Sequence, residues 1–382
     1  MAGKLLEVSV NPAIIRWARE SAGWNIEEIA KKLKTSIENY EKIETGRKSP
    51  TYNQLKILAI YFNRPLSVFF LPDPPQELLF TASFRILPKN AKDISKELRL
   101  VIRKARYYQS IANELMNDLR TDIKPKTLSV FINEDPIKIA QKERERVGIP
   151  IDKQLKWQSA YEAFNEWRSA IEKFNILILQ YKFPLLHARG FSLMDKKPPV
   201  IVLNSSDNIL ARIFTLFHEY AHVCLRLPEI YAGEEEISAN NLEVENWCNC
   251  FASEFLVPES VLKNDTGFQE FMRSRQLSQD ILENLSKKFR VSKHALLTKL
   301  RFLNLITQEY YESELVSLKD QPFVEKKGFL TPPYRCIQEK GKQFVSLVLQ
   351  SKEKGSITTA DMFEYLSVKL KHLHRIEELI TK

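Results

Sequence analysis

Apolar residues dominate the stretch from 209 to 225 and leave little room for a polar face. They are Ile209, Leu210, Ile213, Leu216, Phe217, Tyr220, Ala221 and Leu225. A helix that is apolar on most sides is buried. His218, Glu219 and His222 interrupt this run, and burying two imidazoles and a carboxylate without partners costs several kcal/mol. The pattern therefore predicts a buried helix whose three polar residues have a specific use.

A second helix is predicted from 242 to 258, in the sequence LEVENWCNCFASEFLVP, which ends at a proline. Its packing residues are Val244, Trp247, Phe251, Phe255 and Leu256. Glu245 and Asn249 are four positions apart, so they lie on one face of this helix. Both polar side chains can therefore contact the same neighbouring group.

The first seventy residues have the pattern of four or five short helices. Asn25 stands at the N-cap position of the segment IEEIAKKL, and Thr35 or Ser36 stands at that of IENYEKIE. Gly46 terminates the second of these helices, and Pro50 begins the next segment. A compact bundle with a tight turn between two helices is expected.

Beyond a proline-rich boundary at 72–75, the pattern stays mainly helical. A long helix with a basic side is predicted over 94–119. The basic side is expected to be a solvated face of a connecting or dimerising helix, with direct phosphate contact as the alternative. Two helices between 128 and 174 lead into the strand NILILQY. The segment from 277 to 307 is helical again, with Ser292 as a cap. Either a second helix-turn-helix unit or a helical buttress fits that segment. A basic surface is predicted for it from Lys287, Lys288, Arg290, Lys293, Lys299 and Arg301.

Composition narrows the class of protein. The chain has 382 residues, more than one ordinary domain, and 44% of them are hydrophobic, enough for real cores. The net charge of +9 permits contact with nucleic acid without proving it. Four cysteines are too few for a disulfide scaffold. Neither a signal peptide nor a run of about 18 apolar residues is found, so we expect a cytoplasmic protein without membrane contact.

The spacing of the polar residues in the first apolar run suits a metal. His218 and His222 are four apart, so both imidazoles lie on one face of the helix, about one turn from each other. Two such nitrogens can bind one Zn²⁺ at about 2.0–2.1 Å. Glu219 is rotated to the side, where its carboxylate can accept a proton from an attacking water. A pair of satisfied core histidines is the alternative, but it explains neither the spacing nor Glu219.

A zinc site of this kind needs a third protein ligand and an open position. Glu245 is the candidate, and Glu243, rotated to a different face, is its rival. Asn249 can hold one of the histidines through its second ring nitrogen, which fixes the tautomer and the orientation of the ring. Alternatively, Glu245 belongs to a solvated acidic face.

RIFTLFHEYAH followed by VENWCNCFASEFLVP resembles the ImmA/IrrE family of zinc metallopeptidases, which are of the gluzincin type. The upstream segments ARGFSL and PPVIVLN fit the strand pair that precedes the active helix in that family. The resemblance implies an α+β peptidase domain with Zn²⁺ held by His218, His222 and Glu245, and with Glu219 as general base. The chain departs from the family at Cys248, where a small alanine is usual. Cys248 is then either an inert filler or a thiolate that reaches the metal and keeps the enzyme latent.

Ile43-Glu44-Thr45-Gly46 and Pro50 resemble an XRE-type helix-turn-helix domain. In that fold the helix from about 36 to 45 enters the major groove of DNA. Glu38 and Glu41 on this helix would repel phosphates, so a protein-binding module is the alternative. The candidate DNA contacts are Asn39, Lys42, Arg47 and Lys48.

Together these patterns predict a multidomain, mainly α protein with an all-α helix-turn-helix N-terminal domain, an α+β gluzincin-like zinc peptidase domain and a helical C-terminal region. The expected limits are 1–72 for the helix-turn-helix domain, 73–127 for a proline-rich linker and the long basic helix, 128–262 for the zinc metallopeptidase domain, and 263–382 for the helical C-terminal region.

The resemblance implies a protein substrate, and specifically a transcriptional repressor cleaved under stress or during induction of a mobile element. The strand ending at Asn204 is expected to be an edge strand that aligns an extended substrate. Tyr231 and His187 are candidates to stabilise the oxyanion. The competing hypothesis is a non-catalytic regulator, or an antitoxin-like DNA-binding protein, with a structural zinc site.

Overall fold

The computed structural model describes residues 7–75, 83–84, 95–121, 124–194, 197–225, 237–319 and 330–381. The chain forms two compact units. The first comprises Met1–Phe80 and Leu87–Tyr107, and the second comprises Thr81–Ile86 and Tyr108–Lys382. The described residues are mostly helical, which confirms the prediction of a mainly α, multidomain protein. Within the described ranges, none of the helices is both long and apolar enough to cross a membrane.

The first unit is built from short helices with capped starts. Its helices are α1 (Pro12–Ser21), α2 (Ile26–Lys32), α3 (Ile37–Glu44) and α4 (Tyr52–Phe62), followed by a 3-10 helix (Leu66–Phe70). Asn25 caps α2 in a capping box, as predicted. Ser36, rather than Thr35, caps α3 by accepting a 3.2 Å bond from the Asn39 N–H. Gly46 follows α3 with a φ of +75°, a conformation that glycine adopts readily.

A buried ion pair ties α1 to the end of α3. Arg19 Nε lies 2.7 Å from Glu44 Oε1, and Arg19 Nη2 lies 3.1 Å from Glu44 Oε2. The contact is bidentate, so it fixes both distance and angle. Around it packs an apolar core that includes Ile14, Ile29, Tyr40, Leu55 and Phe62.

The long helix α5 covers Lys96–Asp118, close to the predicted 94–119. Part of its basic side is engaged inside the first unit. Lys96 forms an ion pair with Glu28 and lies over the ring of Trp24 at 4.4 Å. Arg103 Nη1 donates to the carbonyl of Phe62 at 2.6 Å. These cations therefore do not belong to the solvated face that the sequence indicated.

The second unit contains a small mixed sheet enclosed by helices. Its first helices and its strands are α6 (Pro136–Val147), α7 (Ile151–Lys156), α8 (Ala160–Glu172), β1 (Ser83–Phe84), β2 (Leu177–Tyr181), β3 (Gly190–Leu193) and β4 (Val200–Asn204). The strand order is β1-β3-β4-β2, in which β2 and β4 are parallel and the other pairings are antiparallel. Every residue of β2, β3 and β4 is buried, as their apolar sequences require. The prediction of an α+β domain is confirmed.

The strand that ends at Asn204 is interior, so its prediction as an edge strand is wrong. β4 pairs with β3 on one side and with β2 on the other. The Asn204 amide instead donates to the carbonyls of Phe183 at 2.9 Å and Ala188 at 3.1 Å, which closes the loop between β2 and β3. The outer side of β3 is paired with β1, with Ser83 opposite Ser192.

Two helices follow the sheet, and the C-terminal helices complete the unit. They are α9 (Ile209–Leu225), α10 (Ile237–Leu256), α11 (Glu259–Leu262), α12 (Thr266–Ser274), α13 (Gln279–Phe289), α14 (Lys293–Phe302), α15 (Gln308–Lys319), α16 (Pro332–Glu353), α17 (Thr359–Leu366) and α18 (Leu373–Thr381). Ser292 caps α14 as predicted, accepting from the Ala295 N–H at 3.1 Å. The predicted basic surface is reduced, because Lys299 is 1% exposed and paired with Glu254, and Lys288 is paired with Asp265. Since α14 packs on α9 and α10, it has the position of a buttress.

The helix α16 is interrupted where it meets α8. Gly341 has a φ of 83° and a ψ of 157°, and a Cβ at this position would lie 2.1 Å from Glu172 Oε1. Arg168 donates to that same carboxylate at 2.9 Å and to the carbonyl of Gln338 at 2.8 Å. The N–H of Gln343 donates to Glu172 Oε2 at 3.2 Å. Glycine at the kink therefore allows backbone groups of α16 to hydrogen-bond to the buried ion pair of Arg168 and Glu172 on α8.

Candidate metal centre

The helix α9 is buried along almost its whole length, and its polar residues are buried with it. His218 and Glu219 are 0% exposed and His222 is 5% exposed. Phe217 stacks on Phe255 of α10 with ring centroids 4.2 Å apart, which sets how the two helices face each other. The apolar run predicted from the sequence thus forms a core helix that places two imidazoles in the interior.

Three side chains from α9 and α10 converge on one point. The Nε2 atoms of His218 and His222 are 3.3 Å apart. Glu245 Oε2 lies 3.2 Å from His218 Nε2, and Glu245 Oε1 lies 3.3 Å from His222 Nε2. Ligand atoms about 2.0–2.1 Å from a tetrahedral zinc ion are separated from each other by about 3.3 Å. Within the described part of the chain, these three side chains are the one group of histidine, cysteine and acidic residues able to hold a metal ion.

The orientation of α10 determines which of its glutamates lies beside the two histidines. Trp247 Nε1 donates to the carbonyl of Glu134 at 2.8 Å, and the Trp247 ring stacks on Phe251. With this face of α10 fixed, Glu245 points toward α9. Glu243, the rival from sequence, is exposed and lies outside the group.

Asn249 contacts the ring nitrogen of His218 that does not face the group. The distance from His218 Nδ1 to Asn249 Oδ1 is 3.0 Å. An amide oxygen accepts hydrogen bonds, so this contact favours a proton on Nδ1. Nε2 then presents its lone pair to the point shared with His222 and Glu245. Asn249 has the geometry of a residue that orients a ligand.

One carboxylate oxygen of Glu219 contacts the sheet. Ser192 of β3 donates from Oγ to Glu219 Oε2 at 2.9 Å, and both residues are 0% exposed. A Cβ at Gly190, two residues earlier, would lie 2.5 Å from Thr215 Cγ2, so β3 passes close against α9. The sequence did not single out Ser192. The available signal was the two-residue period of the strand, which places positions 190 and 192 on one face.

Burial and neighbouring groups shift the pKa values around this site. Burial alone would raise the pKa of the Glu245 carboxyl, but contact with His218 and His222 outweighs it and holds that pKa well below its usual range. Burial raises the pKa of the Cys248 thiol, and the adjacent His222 opposes this only in part. The Cys248 sulfur is not among the atoms that converge on the shared point, and this geometry favours the inert filler over a thiolate that reaches the metal.

The roles of the two oxyanion candidates stay predictions. His187 lies in the turn between β2 and β3, where its backbone N–H donates to the Pro184 carbonyl at 3.1 Å, and it is not one of the three possible metal ligands. Tyr231 lies outside the described residues.

In the first unit, the candidate DNA contacts lie on and just after α3. Lys42 Nζ is 2.7 Å from Glu38 Oε1, so its charge is partly neutralised. Asn39 is half-buried, whereas Arg47 and Lys48 are exposed beyond the end of the helix. The positive charge of this surface therefore comes mainly from the turn after α3.

Comparison with known families agrees with this architecture. Residues 171–301 match the model of the M78 peptidase family, described as an IrrE N-terminal-like domain, and residues 15–69 match a helix-turn-helix model. No curated protein and no solved structure matches the chain. The first match contains β2 to β4, α9 and α10, and the second contains α1 to α4. The chain therefore carries an N-terminal region that matches a helix-turn-helix domain and a later region that matches the IrrE-like domain of M78 peptidases, which is the fusion that its resemblance to the XRE and ImmA/IrrE families indicated.

Proposed function

We propose that this protein is a zinc-dependent endopeptidase of the His-Glu-x-x-His type. The supporting observation is the triangle of ligand atoms from His218, His222 and Glu245, whose edges of 3.2–3.3 Å suit one tetrahedral zinc ion. Two imidazoles and one carboxylate leave a fourth position open, as a catalytic zinc site requires. Bound there, zinc would polarise the scissile carbonyl and lower the pKa of water to about 7.

Glu219 acts as the general base in this proposal. It follows His218 in the sequence, yet its carboxylate is held by Ser192 rather than by the ligand group. From this position it accepts the proton of the attacking water and passes it to the leaving amine. A site that only stabilises the fold has no use for a further buried carboxylate beside its ligands, so Glu219 favours catalysis over a structural zinc.

The substrate is proposed to be a transcriptional repressor, cleaved during stress or induction of a mobile element. The support is the presence of a helix-turn-helix domain in the same chain, together with the resemblance to the ImmA/IrrE family. Such a reaction takes place in the cytoplasm, with the N-terminal domain contacting DNA through Asn39, Lys42, Arg47 and Lys48. The functional domains would be 1–72, 73–127, 128–262 and 263–382.

The proposal is tested by comparing cells that carry wild type with cells that carry Glu219→Gln. We expect the variant to keep its zinc and to lose cleavage, because an amide cannot accept the proton, with a loss of about 10²–10⁴ in rate. Glu243→Gln is the matched control, since the same change is made at an exposed glutamate outside the metal-holding group. A protein that is shortened in cells carrying wild type or Glu243→Gln, but not in cells carrying Glu219→Gln, is the substrate. If Glu219→Gln supports the same cleavage and response, the non-catalytic regulator is correct.

A further inference from the structure

The outer edge of β3 is the place where an extended polypeptide would meet the proposed base. The inner edge of β3 is paired with β4, and Ser192 of β3 holds Glu219. Proteins bind extended segments by adding a strand to a sheet edge through main-chain hydrogen bonds. An extended substrate at β3 would therefore run directly beside the residue that positions Glu219.

This edge is occupied by the chain itself. Ser83 pairs with Ser192, and Phe84 pairs with Phe191, in the antiparallel direction. Neighbouring strands lie about 4.7–4.9 Å apart. The backbone of β1 therefore takes the position that the backbone of an added strand would need, opposite the serine that contacts Glu219.

We propose that the strand β1, Ser83–Phe84, occupies the substrate-docking edge of β3 in cis and keeps the peptidase latent toward other proteins. This inference rests on the proposed peptidase function. A tethered segment competes at an effective concentration of about millimolar for short linkers. A substrate in trans must displace it, so any event that draws the segment away from β3 activates the enzyme.

The test uses two double variants of the full zinc-loaded chain. Ser83→Pro with Phe84→Pro removes both main-chain N–H groups and cannot form the ladder. Ser83→Ala with Phe84→Ala changes the same side chains but keeps the backbone donors, so it is the matched control. Dye-labelled denatured casein is the probe of cleavage in trans, and hydrogen exchange reports the amides of Phe191 and Ser192 directly.

We expect the proline variant to cleave casein about tenfold faster than wild type, which corresponds to the loss of about two main-chain hydrogen bonds. The alanine variant should cleave at the wild-type rate. Exchange of the Phe191 or Ser192 amide should accelerate in the proline variant alone, while the amides of α9 stay protected in all three proteins.

Several results would overturn the proposal. Equal casein cleavage by wild type and the proline variant, with zinc bound in both, would show that β1 does not block the site. Accelerated cleavage by the alanine variant as well would assign the effect to side chains. A cut within residues 76–94 in wild type but not in Glu219→Gln would make the segment a substrate rather than a block. If all the variants stay inactive and only exchange changes, the docking holds and the proposed peptidase function fails.

Discussion

Replacing Ser192 by alanine removes a hydrogen-bond donor of Glu219 and leaves the three candidate ligand atoms in place. The Ser192 Oγ to Glu219 Oε2 distance is 2.9 Å and both residues are 0% exposed, so bulk water does not stand in for the lost hydroxyl. A hydrogen bond to a charged group contributes about 1.5–3 kcal/mol. Since about 1.4 kcal/mol corresponds to a factor of ten in rate, kcat/KM should fall about 10- to 100-fold.

Ser253→Ala is the matched control for this measurement. Ser253 is 1% exposed, and its hydroxyl donates to the Cys250 carbonyl of its own helix at 2.9 Å. Both variants should bind zinc as wild type does, by elemental analysis, and only Ser192→Ala should lose activity on casein. The acidic limb of the pH–rate profile of Ser192→Ala should also move to higher pH. A hydrogen bond donated to a carboxylate favours the charged form, so losing this bond raises the pH at which the carboxylate is protonated. Equal rates and equal pH profiles for the two alanine variants would refute a positioning role for Ser192.

Three further outcomes are expected. The purified chain should contain about one zinc ion that His218→Ala lacks, and near-stoichiometric zinc in both proteins by elemental analysis would exclude this site. Cys248→Ala should keep the zinc content and the casein rate of wild type with or without mild peroxide, whereas raised basal cleavage would favour the latent thiolate. Replacing Glu38 and Glu41 together by alanine should tighten DNA binding, and the wild-type affinity should fall with salt at a logarithmic slope of about −0.9 per phosphate contact. Tight wild-type binding that is insensitive to salt would contradict this interpretation of α3.

The convergence of the three candidate ligand side chains could be expected from local periodicity. Two histidines four apart share a helix face whatever the helix packs against, and Glu245 and Asn249 are related in the same way on α10. The apolar neighbours of each helix indicated burial, which brings the two faces together. The candidate site was therefore predictable because its residues lie on only two helices.

Features that depend on contacts distant in sequence were missed or wrong. Ser192 reaches Glu219 across 27 positions, and nothing in its own segment shows that it faces α9. The prediction that the strand ending at Asn204 lies at an edge was wrong. The strand order depends on the parallel crossover between β2 and β4, which the sequence does not display. Lys299 was expected on a basic surface, but its partner Glu254 lies 45 positions away.

The kink of α16 bears on where this protein can be shortened. The matched peptidase region ends at residue 301, yet a chain stopping there would deprive Arg168 of the Gln338 carbonyl and Glu172 of the Gln343 N–H. Each lost hydrogen bond to a buried charged group costs about 1.5–3 kcal/mol, a large share of the roughly 5–15 kcal/mol that stabilises a domain. Such a fragment should be less stable than the full chain, so low activity of the fragment would report on its folding as well as on its zinc site. Adding the missing helix as a separate peptide should restore it, so the protein offers a natural point for split-protein complementation.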